Sequence, residues 1–333
     1  MTSTPPQDDP LRCAPSPRCV VCGGQGIELY EGLVDHISGT PGAWRVVRCP
    51  DADCALLWLD PQPLADELIK AYRNYHTHGR TRRRSLAQLG LSALNTTCKL
   101  ISRVLDAGSD LGRQRRRLRT MFLGDAPPGA LLEVGCGSGR FLERMRKAGW
   151  RVQGTDFDPA VAARVQARYG LHVDVGDLAQ FNYPGQSYDA IAMSQVIEHV
   201  RDPIGLLQEC FRLLRPDGRL VLSTPNALGM AHRRFGRHWR GLEPPRHLHI
   251  FTPAALQRCA RQSGFERLEC FTLSAEAAGI YRASEALAHG GAARSAVAEA
   301  GGVVRSWVLR HREYRESRRD AWAGQDLFLI ATR

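Results

Sequence analysis

Three glycines within five residues set the strongest limit on what this chain can fold into. Gly135, Gly137 and Gly139 stand directly behind an apolar run, Ala130–Val134, and open a segment of helical character that reaches about Ala148. A strand that ends in a glycine cluster and resumes as a helix is a β-α turn, where glycine lets the backbone turn tightly and approach a ligand. The pattern continues downstream. Arg151–Thr155 reads as a second strand, and Asp158-Pro159 opens a helix, with Asp as N-cap and Pro at the first helical position. Leu171–Val175 reads as a third strand, Tyr188–Ser194 as a fourth, Pro203–Leu214 as a helix and Arg219–Ser223 as a fifth strand. Strands separated by helices form a parallel sheet covered on both faces, and ligands of such a sheet bind beyond the carboxyl ends of its strands.

Three acids sit at those ends. Glu133 lies two residues before the first glycine, Asp156 closes the second strand and Asp177 follows the third. The glycine spacing is not the dinucleotide fingerprint G-x-G-x-x-G, because position 140 is Arg. A carboxylate just ahead of the loop suits a cofactor with a cationic amino-acid end better than a pyrophosphate. Asp156 can accept from both ribose hydroxyls, Phe157 can pack on an adenine face, and Asp177 can accept from the exocyclic amine. Any one of these acids alone reads more simply as a cap or a solvated loop residue. Three of them behind one glycine loop favour the cofactor.

Residues 129–274 resemble the class I S-adenosylmethionine-dependent methyltransferases. The likeness is greatest to the subgroup with Gln195-Val-Ile-Glu-His-Val200, Asp202-Pro203, Leu214-Arg-Pro-Asp-Gly218 and Ser223-Thr-Pro-Asn226. The resemblance implies an α/β, Rossmann-like fold with a seven-stranded, mostly parallel sheet whose last strand is antiparallel. It also implies S-adenosylmethionine held by Glu133, Gly135, Cys136, Gly137, Gly139, Asp156, Phe157, Asp177, Leu178 and Ser194. The family usually joins strands six and seven by a short hairpin. Here about fifty residues separate Phe265–Leu273 from Asp326–Thr332, so a helical insertion over about 275–322 is expected within a methyltransferase domain of 129–333.

Ahead of that domain lie two cysteine pairs, Cys19-Val-Val-Cys22 and Cys49-Pro-Asp-Ala-Asp-Cys54, 26 residues apart. Four thiolates with short spacers fit a tetrahedral Zn²⁺ whose ligands all come from protein, which makes the metal structural. Residues 19–60 are therefore expected to form a zinc-binding module, and residues 1–18, rich in Pro, Thr, Ser and Asp, a disordered lead-in. Ten cysteines without a secretion-like N-terminus point to reduced thiols and a cytoplasmic protein. The arrangement is similar to that of sugar- and glycan-modifying methyltransferases with an N-terminal zinc module. Tyr72-Arg-Asn-Tyr75 fits that group too, where the stretch lies near the entrance to the cofactor pocket.

Methylating a hydroxyl requires removing its proton, and histidine is the usual base. His199 follows the fourth strand; His247 and His249 lie in Pro244-Pro-Arg-His-Leu-His-Ile-Phe-Thr252. In zinc-containing sugar methyltransferases a histidine four residues before Phe-Ser or Phe-Thr acts as base. That resemblance points to His247, with His249 in reserve. The simpler alternative is that His247 bonds the loop backbone and that His199 positions its loop through Glu198. Trp239, Arg240 and Glu243 suit a sugar ring, unless Trp239 merely covers the core.

Of the net charge of +11, residues 80–121 supply +9. Residues 61–128 read as a helical, basic connecting or lid region. Leu91, Leu94, Cys98, Ile101 and Leu105 form one apolar helical stripe, expected to pack on the catalytic domain. The arginines at 82–84 and 115–117 are either solvated or meet an anionic membrane surface, such as one bearing a lipid-linked glycan. No apolar run is long enough to span a bilayer. The expected reaction is O-methylation of a sugar, a glycan or another small molecule. An RNA methyltransferase gripping nucleic acid through the module and the arginines is disfavoured. Ser194-Gln-Val-Ile-Glu-His stands where amine-methylating nucleic-acid enzymes often carry Asn/Asp-Pro-Pro-aromatic, and no basic-aromatic stripe is present. An inactive scaffold is disfavoured by the intact glycine loop and acids.

Overall fold

The computed structural model describes residues 10–72, 86–290 and 295–333. Short strands come first: β1 (Cys13–Ala14), β2 (Ile27–Leu33), β3 (Trp44–Arg48), β4 (Leu57–Leu59) and β5 (Gln62–Pro63). A short helix α1 (Ala65–Leu68), a 3-10 turn (Ile69–Tyr72), α2 (Leu86–Asp106) and α3 (Asp110–Leu118) follow. The alternating part runs β6 (Ala130–Val134), α4 (Arg140–Lys147), β7 (Arg151–Asp156), α5 (Pro159–Tyr169), β8 (Val173–Val175), β9 (Tyr188–Ser194) and α6 (Pro203–Leu213). Then come β10 (Leu214–Pro225), α7 (Met230–Phe235), β11 (His249–Ile250), α8 (Pro253–Gln262), β12 (Arg267–Leu273), α9 (Ala277–Ala288), α10 (Ala296–Glu316) and β13 (Asp326–Thr332).

Seven strands form the main sheet in the order β12-β13-β10-β9-β6-β7-β8. Strands β10, β9, β6, β7 and β8 run parallel to one another, and β13 runs antiparallel between β10 and β12. Leu131, Leu132, Ile191, Met193, Leu220 and Leu222 are fully buried, as expected of strands covered on both faces. The helix starts follow their sequence signals. The Asp158 carboxylate accepts from Ala160 N–H at 2.8 Å ahead of Pro159, Asp202 accepts from Gly205 N–H at 2.9 Å ahead of Pro203, and Thr252 Oγ1 accepts from Ala255 N–H at 3.0 Å ahead of Pro253.

Several expectations need correction. The third strand is shorter, starting at Val173, and the fifth is longer, running from Leu214 through a register shift to Pro225. Asp217, at φ +60°, sits in that irregularity, so Pro-Asp-Gly bends the strand instead of preceding it. Residues 10–18 of the supposed lead-in are ordered: Cys13–Ala14 pairs with Gln62–Pro63, and Arg12 Nε donates to Glu67 at 2.7 Å. The stripe on α2 is not buried along its length, since Ile101 and Leu105 are 54% and 76% exposed. The helix turns a polar face inward, against the insertion formed by α9 and α10. There Asp106 accepts from Arg310 Nη2 at 2.6 Å and pairs with Arg115 at 3.0 Å, and Trp307 Nε1 donates to Asn95 Oδ1 at 3.4 Å. Arg80, Arg82, Arg83, Arg84 and the Arg73-Asn-Tyr75 stretch lie outside the described residues.

The cysteine-bearing segment shares its packing with the catalytic sheet. Strand β11 pairs with β4 and completes a four-stranded sheet of order β11-β4-β3-β2. Cys19, Val21, Cys49 and Cys54 lie in one hydrophobic cluster with Phe251, Leu256 and Cys259.

Candidate active site and cysteine cluster

The glycine loop is held by its neighbours. Gly135 and Gly139 have φ of +69° and +67°. A Cβ on Gly135 would stand 2.6 Å from Val196, and one on Gly139 would stand 2.8 Å from Val165. A Cβ on Gly137 would meet nothing within 4 Å, so this glycine borders open space. Asp156 fixes the loop from the next strand: Oδ2 accepts from Gly137 N–H at 2.9 Å, and Oδ1 from Asp158 N–H at 3.0 Å. Burial raises the Asp156 pKa and pushes that of Glu133 well above the usual carboxylate range. Glu133 Oε2 is buried without a hydrogen-bond partner. A buried carboxylate oxygen lacking a donor beside a loop with an open side fits a ligand that carries a cationic amine, as S-adenosylmethionine does.

Other expected cofactor contacts divide by what they can offer. Phe157 is half exposed, with its ring edge against Tyr72 at a centroid distance of 4.9 Å. Asp177 is exposed and caps its own turn, with Oδ1 accepting from Ala179 N–H at 3.3 Å. Ser194 Oγ lies 3.0 Å from Ser223 Oγ. The Leu178 side chain is in the core, so only its backbone can reach a ligand. Cys136 requires correction. Its side chain is buried, its N–H donates to Thr155 O at 3.0 Å and its C=O accepts from Gly139 N–H at 2.9 Å, so it shapes the loop and presents no free group.

Two of the three candidate histidines meet. The rings of His199 and His247 are 4.7 Å apart, edge to face. The Tyr72 hydroxyl lies 2.8 Å from His199 Nδ1, so a line of rings runs from Phe157 beside the cofactor loop through Tyr72 to the histidine pair. Burial lowers the pKa of both imidazoles, and for His199 the neighbouring His247 adds to the effect. Glu198 is buried beside them. Its Oε2 accepts from Thr224 Oγ1 at 2.9 Å, and burial raises its pKa to about 8. His249 stands elsewhere, with Nδ1 3.0 Å from Val200 O and Nε2 3.4 Å from Gln62 Nε2, and burial lowers its pKa to about 4. Both its ring nitrogens are engaged in tying β11 to its surroundings, which removes it as the reserve base. Trp239 is 1% exposed and stacks on His232 at 4.7 Å, so it covers the core and cannot receive a sugar.

Sequence reasoning missed what positions His247. Arg246 is fully buried; Nη1 and Nη2 grip Asp35 at 2.7 and 2.8 Å, Nε donates to Glu243 at 3.0 Å, and Nη1 reaches Ala71 O at 3.1 Å. It thereby joins the loop after β2, the turn carrying Tyr72 and the loop carrying His247. A charged residue between Pro-Pro and His was visible, but nothing local pointed to Asp35, 211 residues away.

The four cysteines of the two pairs converge, with their Sγ atoms all within 4.8 Å of one another. Cys19 Sγ and Cys54 Sγ are 3.6 Å apart, and Cys22 Sγ and Cys49 Sγ 3.2 Å. Zinc-thiolate bonds of about 2.3 Å put tetrahedral sulfurs roughly 3.8 Å apart, so the residues fit such an ion with little movement. The knuckle closes through Gly23 N–H donating to Cys19 O at 2.8 Å, with Gly23 at φ +77°.

A family profile described as "Methyltransferase domain" matches residues 78–269, more than half of the chain. The chain belongs to that family, and its domain is of the class I, S-adenosylmethionine-dependent type. A probable S-adenosylmethionine-dependent methyltransferase of Mycolicibacterium smegmatis is 43% identical over 100 residues, 29% of this chain and 38% of that protein. A ubiquinone biosynthesis O-methyltransferase of Actinobacillus pleuropneumoniae is 39% identical over 106 residues, 29% of this chain and 45% of that one. The malonyl-[acyl-carrier protein] O-methyltransferase of Serratia marcescens is 32% identical over 146 residues, 43% of this chain and 56% of that one. The chain thus spans about a third to just over half of the curated relatives it matches. Among solved structures, a phosphoethanolamine N-methyltransferase of Haemonchus contortus aligns with TM-score 0.49 at 15% identity, covering 83% of this chain and 62% of that one. Among the described residues no helix is long and apolar enough to cross a membrane.

Proposed function

We propose that the protein moves the methyl group of S-adenosylmethionine to a hydroxyl of a sugar, a glycan or another small molecule in the cytoplasm. The observation that carries this reading is the line Phe157–Tyr72–His199–His247, which leads from the cofactor loop to a half-buried His199 and a buried His247. Glu133 receives the amino group of the cofactor, Asp156 its ribose hydroxyls and Asp177 its adenine amine. The acceptor hydroxyl lies in line with the sulfonium methyl and gives up its proton at the His199–His247 pair. Zn²⁺ on Cys19, Cys22, Cys49 and Cys54 supports the fold without touching the reaction. The sugar acceptor draws support from the Cys₄ arrangement, and O-methylation from two of the relatives above.

The test is calorimetric titration with S-adenosylmethionine, followed by an acceptor screen over nucleotide sugars, glycans and polyphenols. Asp156→Ala strips acceptors from two loop amides and from the ribose, so its cofactor affinity should fall by about tenfold or more. An Asp156→Ala protein that binds as tightly as the parent, or a parent that binds no cofactor, defeats the assignment.

A second reading concerns the surface. On α2, Leu100, Ile101, Val104 and Leu105 form a largely exposed apolar ridge, interleaved with Lys99 and Arg103. A hollow on α3 and the turn after it is lined by Arg113, Arg116, Arg117 and Thr120, with Asp125 at its edge. We infer that this face rests on an anionic membrane surface, apolar side chains entering the headgroup region and arginines meeting phosphates. Co-sedimentation with phosphatidylglycerol vesicles at low salt should exceed that with phosphatidylcholine and should drop in Val104→Glu/Leu105→Glu. Equal, negligible binding to both vesicle types rules the contact out.

A further inference from the structure

Apart from the four cysteines, one other group of metal-ligating side chains converges among the described residues. One ring nitrogen each of His199 and His247 and one carboxylate oxygen of Glu198 lie within 4.8 Å of one another. Glu198 is fully buried, and while its Oε2 is bonded to Thr224, its Oε1 has no hydrogen-bond partner. An acceptor in that condition is costly unless something positive meets it. Both imidazoles are oriented from behind. His247 Nδ1 is 2.7 Å from Gly241 O, and His199 Nδ1 is 3.0 Å from Arg246 O and 2.8 Å from the Tyr72 hydroxyl. A backbone carbonyl on Nδ1 fixes the tautomer with its proton there and leaves the Nε2 lone pair for a cation, which the Glu243 carboxylate, 3.6 Å from His247 Nε2, also favours. Histidines that hold metals are backed in this way.

We propose that Glu198, His199 and His247 bind a divalent first-row transition-metal ion, separate from the ion assigned to the cysteines. Two imidazoles and one carboxylate suit manganese, iron, cobalt or zinc and would leave coordination positions open. Bonds of about 2.1 Å bring such ligands to roughly 3–4 Å from one another, which small side-chain adjustments supply. The role of the ion rests on the methyltransferase reading above. An acceptor hydroxyl on an open position loses its proton to solvent more readily than a free one. The oxygen lone pair then forms the new O–CH₃ bond as the C–S bond breaks, and the bonding pair passes to sulfur, turning the sulfonium into a neutral thioether. With the ion bound, His199 and His247 hold the cation that eases the loss of the hydroxyl proton, in place of taking that proton themselves.

The experiment titrates the full-length protein with Mn²⁺ alone and counts bound ion by electron paramagnetic resonance. Mn²⁺ is chosen because four thiolates discriminate against so hard an ion. One saturable equivalent is expected, weakened about tenfold or more in both Glu198→Gln and His247→Ala. Thermal melting establishes that each variant is folded, and Glu198→Gln, nearly identical in shape, keeps the test open if His247→Ala unfolds. Absence of saturable binding, or equal binding by parent and both variants, overturns the proposal. Cofactor binding is read separately by calorimetry. A protein that binds Mn²⁺ but not S-adenosylmethionine therefore upholds the metal site while sinking the methyltransferase reading, and the reverse result sinks the metal site alone.

Discussion

At the scale of single residues, the buried Arg246 holds the loop carrying His247 to Asp35, 211 residues away. Gly135, Glu133 and Asp156 could be singled out in the sequence because each is constrained by a turn or a strand end a few residues away. Arg246 could not, since its role is created by Asp35 on the far side of the chain. Burial pushes the Asp35 pKa up, but the bidentate contact with Arg246 and the amides of Ile37 and Thr40 overcome that and hold it well below the usual range. A carboxylate with a depressed pKa adds stability that is complete above its unfolded value, near pH 4, and is lost as pH falls toward the folded value. Arg246→Met leaves Asp35 buried without its cation and Glu243 with one fewer, so the loss at neutral pH should be about 3–5 kcal/mol. Urea unfolding should show that loss together with a flatter pH dependence below pH 4. Adding Asp35→Asn to Arg246→Met should recover part of the stability. Additive losses in the double variant would mean that the two side chains are not coupled.

Elements were legible where their start and stop signals are local. Asp158-Pro159 and Asp202-Pro203 each supply a cap and a pre-set φ, and α5 and α6 begin there, as α8 does at Thr252-Pro253, a start not singled out from the sequence. Helix α2 was legible as a helix, but its buried side was not. The 3-4 spacing of Leu91, Leu94, Cys98, Ile101 and Leu105 says that these residues share a face; the neighbour decides whether that face is covered. The neighbour is α10, which offers Arg310 and Trp307, and a polar partner selects Asp106 and Asn95 over the apolar stripe. The register shift in β10 had no signal either, because Pro-Asp-Gly favours a turn in isolation and only pairing with β9 and β13 carries the strand through it.

At the scale of the whole molecule, the boundary drawn at residue 60 separates sequence patterns but not packing. A seven-stranded sheet with an antiparallel last strand, and the insertion before β13, could be anticipated from the alternation and from the family resemblance; the order of the strands was not part of that expectation. That β11 would supply the fourth strand of the cysteine-bearing sheet could not, because two residues, His249–Ile250, carry no strand signal of their own. The consequence is physical. Thr252 Oγ1 donates to Cys54 O at 2.5 Å, Gln262 Nε2 donates to Val21 O at 2.9 Å, and Cys19, Cys49 and Cys54 pack with Leu256 and Cys259 of α8. If the four thiolates hold zinc, removing it should loosen α8 and the loop that carries His247 as well as the segment itself. A structural zinc site contributes its binding energy to folding. Unfolding entropy of about 2.1 cal/mol/K per residue makes 1 kcal/mol worth roughly 1.5 °C in a chain of 333 residues, so a loss of several kcal/mol places the fall in melting temperature at roughly 5–10 °C. Calorimetry of the zinc-loaded protein, of the chelator-treated protein and of Cys49→Ser should therefore show one transition moving down as a unit. Two transitions, with the larger unmoved by chelator, would mean that residues 19–60 fold independently and that the shared core contributes little to holding His247 in place.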